Sequence, residues 1–240
     1  MGLRVFARRT HLGHGYAKRS PHYSFVERVV DESLFETFED IYTCLASGTS
    51  PEYCLPPQAA ELYRRVVEET GDYYEAEERA DELAHQILGE EACRIAGDRG
   101  VACFTVPARS AKGTRYLRPV FVGDDTVYVT GWWGGERDPD TGAAHPTLFR
   151  FERRLPMPQL RRLVEKVLGR LSDEGELEEL VREWAEERGV EEWDRLWSCV
   201  MGGGCEVEMD VEPKTGEVEI KNVTPLTREW RIYLETGEAW

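Results

Sequence analysis

From Cys205 to Glu212 every second residue is apolar. Cys205, Val207, Met209 and Val211 alternate with Glu206, Glu208, Asp210 and Glu212, the period of a strand with one buried and one wet face. Pro213-Lys214-Thr215-Gly216 provides turn residues, and Val218 and Ile220 continue the apolar set on the return. Pairing Glu212 with Glu217 sets Val211 against Val218 and Met209 against Ile220, so the apolar faces match. A slip of one residue would turn carboxylates into the core. In this register Asp210 faces Glu219 and Glu208 faces Lys221. A chain that holds such a hairpin must build a sheet and cover one side of it. A last strand with Trp230, Ile232 and Leu234 inward is expected to complete the chain.

Upstream the period changes several times. Leu3 to Ala7 reads as a short strand leading into a Gly- and His-containing loop. Ser24 caps a helix with Val26, Val30, Leu34, Phe38, Ile41 and Leu45 on one face. A second helix turns Leu62, Tyr63, Val66 and Val67 inward. A third, from about Asp72 to Ile95, uses Tyr73, Ala76, Ala80, Leu83, Ile87 and Leu88. At Gly97 helical spacing gives way to strands over Val101–Val106, Tyr116–Val122 and Thr126–Trp133, with a fourth around Leu148–Arg153. Pro156 and Pro158 open a helix with Leu160, Leu163, Val164, Val167, Leu168 and Leu171 inward. Two more helices follow, about 173–188 and 190–200. The order implies an α+β fold: an N-terminal helical segment, central antiparallel strands, helices, then the hairpin and a final strand. A mainly helical region over 1–97 and an α+β region over 98–240 are the expected domains, which may form one continuous body. No internal repeat is present.

At 240 residues, 41% hydrophobic and 32% charged, the chain can bury a substantial core and is too apolar for disorder. No apolar run reaches the roughly 18 residues a spanning helix needs. The N-terminal stretch has no continuous apolar segment, and Phe6 stands where a myristoylation motif needs Ser or Thr. A cytoplasmic protein is the simplest reading. Six widely spaced cysteines in such a chain are expected to be buried free thiols. Cys199 and Cys205 alone flank a glycine run closely enough to bridge if oxidised. No C-x-x-C pair occurs, so no zinc ribbon is expected. Glutamate and arginine dominate over aspartate and lysine, which is compatible with a thermophilic source.

Charge is segregated. Residues 1–23 hold Arg4, Arg8, Arg9, Lys18 and Arg19 and no acid, while the whole chain is at −16. The expectation is an acidic body with a basic N-terminal arm. Arg8, Arg9, His11, His14, Lys18 and Arg19, with Tyr16 and Tyr23 among them, are candidates for holding a phosphate or nucleic acid. A solvated terminus pairing with the acidic body explains the same residues. Arg109, Lys112, Arg115 and Arg118 form a second basic island without acids, but no P-loop pattern accompanies it. Metal chemistry finds little support. His11-x-x-His14 lacks further ligands, and Glu82-x-x-His85 with Glu78 lacks the second Glu-x-x-His that a di-iron bundle uses. No metal and no cofactor are implied. Motifs of serine hydrolases are absent, and no cysteine sits in a recognisable nucleophile context.

On the hairpin, Asp210, Glu212, Glu217 and Glu219 place like charges opposite one another. That face either discourages sheet-to-sheet aggregation or awaits a cationic partner. The functional expectation is a non-catalytic binding or regulatory protein. Its acidic surface engages a basic macromolecular partner, expected to be a protein, and its arm contacts an anion, with nucleic acid as one form of that anion. The alternative is an enzyme acting on a phosphorylated or nucleic-acid substrate through the basic islands, with His11, His14 or His145 moving protons.

Overall fold

The computed structural model describes residues 2–9, 49–109, 115–129, 147–171 and 174–238. In chain order the elements are β1 (Leu3–Arg9), α1 (Pro51–Cys54), α2 (Pro57–Thr70), α3 (Tyr73–Asp98), β2 (Ala102–Arg109), β3 (Arg115–Val122), β4 (Thr126–Val129) and β5 (Thr147–Phe151). There follow α4 (Met157–Leu163), a π-helical turn over Val164–Leu168, α5 (Gly169–Leu171), α6 (Glu174–Glu187), α7 (Trp193–Met201), β6 (Cys205–Val211), β7 (Val218–Pro225) and α8 (Arg228–Thr236). The fold is mixed α+β. It divides into two compact units, residues 1–23 with 122–240, and residues 24–121.

In the first unit the strand order is β4-β5-β1-β6-β7, antiparallel throughout. β1 is therefore an interior strand, with Val5 opposite Phe151 on one side and Met209 on the other. Its burial alternates, with Leu3, Val5, Ala7 and Arg9 buried and Arg4, Phe6 and Arg8 on the other face. The buried face of the sheet meets helices: α7 packs on β6 and β1, and α6 on β7. The apolar set from Leu160 to Leu171 is buried throughout, which carries this helical run across its π turn.

The hairpin forms in the expected register. Val211 pairs with Val218, Asp210 with Glu219 and Met209 with Ile220, and the Glu212 N–H donates to the Glu217 carbonyl. Beyond Met209 the register departs from expectation, because a bulge between Glu208 and Met209 sets Glu208 opposite Asn222 instead of Lys221. The expected last strand is also corrected. Trp230, Ile232 and Leu234 lie in α8, which Thr227 caps by accepting from the Trp230 N–H and which Gly237 closes in a left-handed conformation. Alternate apolar residues mark a strand only without such stops. Here the cap and the closing glycine delimit a helix.

The second unit is built on α2 and α3, which pair along their lengths, with β2 following α3. Ala76, Ala80, Ala84, Leu88, Ala92 and Ala96 are buried in turn along α3, so neighbouring backbone comes close. A Cβ on Gly89 would lie 2.7 Å from the Leu117 carbonyl oxygen. Tyr73, expected inward, is 63% exposed because it is the first residue of α3, beyond the alanine row.

The expectation of free thiols is overturned. Cys93 and Cys103 are bonded, as are Cys199 and Cys205, and Cys54 is also in a disulfide. Each pair brings Cα atoms within 5.1–5.2 Å, one joining α3 to β2 and the other α7 to β6. The close spacing of Cys199 and Cys205 allowed their bridge, whereas spacing conceals that of Cys93 with Cys103, which spans the junction of a helix with the following strand. The helix reading from Ser24 lies outside the described residues.

Candidate functional site

The wet face of the first unit's sheet concentrates the described ionic chemistry. Strand alternation turns Glu206, Glu208 and Asp210 of β6 outward, and antiparallel pairing sets Arg4 of β1 opposite Asp210 and Phe6 opposite Glu208. The Arg4 guanidinium lies 3.3 Å from Glu208, 3.6 Å from Asp210 and 3.6 Å from Glu152, just past β5. Arg150 of β5 sits 4.0 Å over the Phe6 ring and reaches Glu206 at 3.3 Å. Lys221, displaced by the bulge, pairs with Glu219 at 2.5 Å and Asp210 at 3.7 Å. Its ammonium is held above the ordinary lysine value, first by the hydrogen bond it donates to Glu219 and also by Asp210.

These pairs correct the expectation that the hairpin acids face one another unrelieved. Asp210 touches Arg4 and Lys221, and Glu219 touches Lys221. Glu212 accepts from the Lys214 N–H, which holds its carboxyl below the ordinary value, and Glu217 accepts from the Thr215 hydroxyl. The face nevertheless stays net negative, because Glu152, Glu206, Glu208, Asp210, Glu212, Glu217 and Glu219 outnumber Arg4, Arg8, Arg150, Lys214 and Lys221 among the described side chains. Sequence reasoning missed Arg4 as their partner. Its signal is the alternation of Leu3, Val5 and Ala7 with Arg4, Phe6 and Arg8, which marks a strand but does not name its neighbour.

The basic candidates separate. Arg8 and Arg9 lie in β1 rather than on an arm. Arg9 is fully buried opposite Thr147, and so offers no surface to an anion in this fold. Arg8 donates from Nε to the Gly203 carbonyl at 3.2 Å; burial lowers its pKa, and Glu206 opposes that shift. Arg109 ends β2, and Arg115 and Arg118 belong to β3. Lys112, His11, His14, His145, Lys18 and Arg19 lie outside the described residues. Glu78 and Glu82 lie on α3. Among the described residues no group of three or more His, Cys, Asp or Glu is arranged to hold a metal ion, and no helix is long and apolar enough to cross a membrane.

Two concavities lie among the described residues. In the second unit, a volume of about 790 Å³ is lined by residues 54–58 and by Ile87, Leu88, Glu90, Glu91 and Arg94. Its single lining cation is committed, since Arg94 binds Glu91 at 2.6 Å and Asp98 at 2.7 Å. In the first unit, about 200 Å³ lies among Val122–Asp124, Thr126, Phe151, residues 154–157 and Leu160. Neither lining set contains a nucleophile beside a base, the arrangement that covalent or general-base chemistry requires.

No family model matches the chain, and no curated protein or solved structure matches it.

Proposed function

We propose that this is a non-catalytic binding or regulatory protein whose acidic sheet face engages a basic protein partner. The carrying observation is the excess of carboxylates over cations around Arg4, on a sheet face of a chain at −16. Such a field attracts lysine- and arginine-rich surfaces, speeds their association and repels phosphate. Glu212 and Glu217, at the tip of the hairpin, lie where a partner would make first contact. The anion-binding part of the reading rests on His11, His14, Lys18 and Arg19, since Arg8 and Arg9 have positions within the sheet. For location we propose the cytoplasm. Disulfides persist mainly in oxidising compartments, with the cells of hyperthermophiles the exception that this location requires.

The test is binding of an arginine-rich peptide of about 20 residues by the intact protein and by the Asp210→Asn/Glu212→Gln/Glu217→Gln/Glu219→Gln variant. Binding that weakens with salt, and weakens further by roughly fivefold or more in the variant, is expected. Equal binding by both proteins would exclude the hairpin face. Absence of binding to the intact protein in low salt would reject the reading.

A further inference from the structure

Of the disulfides whose two halves are both described, one is partly open to solvent and one is sealed. Cys199 and Cys205 are fully buried. Cys93 of α3 and Cys103 of β2 are each half-buried, and their bond holds the Cα atoms 5.1 Å apart. Access decides reactivity, because thiol–disulfide exchange needs an attacking thiolate to reach sulfur. A sealed disulfide is met only during rare local opening.

The junction that Cys93 and Cys103 tie is also held without them. The Val101 N–H donates to the Ala96 carbonyl at 2.9 Å and the Gly100 N–H to the Gly97 carbonyl at 2.9 Å, which closes the end of α3. Arg94, beside Cys93, grips Glu91 at 2.6 Å and Asp98 at 2.7 Å along the last turns. Ala92, Ala96, Val101 and Phe104 are buried on either side of the connection. Cleavage therefore leaves two thiols close together in a folded junction, the condition for closing the bond again.

We propose that the bond between Cys93 and Cys103 is a reversible exchange site for a small thiol of the glutathione class, while that between Cys199 and Cys205 is a permanent staple. One glutathione thiolate attacks a protein sulfur, forming a mixed disulfide and releasing the other cysteine, which takes up a proton. A second attacks the glutathione sulfur of that mixed disulfide and frees the remaining cysteine, which is protonated in turn. Two glutathione thiols are oxidised to one glutathione disulfide, and one protein disulfide is reduced to two thiols. The reduced form loses the covalent stop on fraying at the last turn of α3 and the first residues of β2, a change within the second unit.

The test exposes the native full chain to reduced glutathione, alkylates it with N-ethylmaleimide at intervals and reads each cysteine by peptide mass spectrometry. Cys93 and Cys103 are expected to be labelled together, about tenfold or more faster than Cys199 and Cys205. Glutathione disulfide added before alkylation should restore the bond. Backbone hydrogen exchange should quicken over residues 93–106 and stay unchanged in β1, β6 and β7. Equal or slower labelling of Cys93 and Cys103, or reduction that glutathione disulfide does not reverse, would overturn the exchange site. So would hydrogen exchange that quickens across both units, since the reduced form would then be unfolding. Cys93→Ser/Cys103→Ser, where circular dichroism shows it folded, should reproduce the hydrogen-exchange pattern of the reduced protein, and a different pattern would count against the site. Labelling of the parent protein decides the matter even where that variant does not fold.

Discussion

A Cβ on Gly204 would sit 2.1 Å from the Trp230 indole, and one on Gly202 2.8 Å from it. The ring is laid directly on a glycine turn whose two flanking cysteines are bonded and whose Gly203 carbonyl receives Arg8. Gly204→Ala is therefore expected to displace the indole and loosen α8, lowering stability by about 1–3 kcal/mol, the usual range for an overpacked contact. Denaturant melts of Gly204→Ala, Trp230→Ala and the double variant measure this. The two single effects should not add, because both act through one contact. Glu91 makes a prediction about acid. Its carboxyl lies below the ordinary 4.5, chiefly through its hydrogen bond to Arg94. A carboxylate lowered on folding adds stability above the unfolded value and loses it as pH falls through the folded one. From about pH 6 to about pH 3, Glu91→Gln should thus lose less stability than the parent. Parallel acid denaturation curves of the two proteins would contradict this.

At the scale of elements, the hairpin was readable because its alternation, its turn and its matched apolar faces agree on one register. What lay outside sequence reasoning was the neighbour of β6. Arg4 faces Asp210 only because β1 pairs there, and no local pattern announces a pairing across most of the chain. The bulge that frees Lys221 is equally silent in sequence. α8 was misread for another reason: three alternating apolar residues fit either period, and the Thr227 cap and Gly237 stop decide. Tyr73 was misplaced because it continues the helical spacing of the buried alanines yet lies at the helix end. These pairings also change what substitution should do. Opposed carboxylates alone would make the fourfold Asn/Gln variant more stable. Because Arg4 and Lys221 already neutralise Asp210 and Glu219, no gain is expected. Arg4→Gln should destabilise by under about 1 kcal/mol, since Arg4 is 44% exposed and its ion pairs are screened. Melts should show that loss shrinking in high salt. A more stable Arg4→Gln protein would mean these contacts do not hold the face together.

For the whole molecule, two kinds of long connection matter. The described disulfides close separations of 10 and 6 residues, so the loop-entropy model gives about 2–3 kcal/mol for each. Urea unfolding with and without reductant, which opens both, should show a combined stability drop of about 4–6 kcal/mol, and no drop would mean the loops are already ordered by packing. β1 is the second connection. Deleting residues 1–9 removes an interior strand rather than a tail, so β5 and β6 would each be left with an open edge. Loss of cooperative unfolding and aggregation on gel filtration are expected; a monomeric, cooperatively melting product would contradict β1's place in the sheet. The same position sets a timetable during synthesis. Arg8 and its acceptor Gly203 lie 195 positions apart, so β1 leaves the ribosome long before β5 and β6 exist to receive it. One edge of this strand waits for β5 and the other for β6, so the centre of the sheet can close only once Val211 has been made.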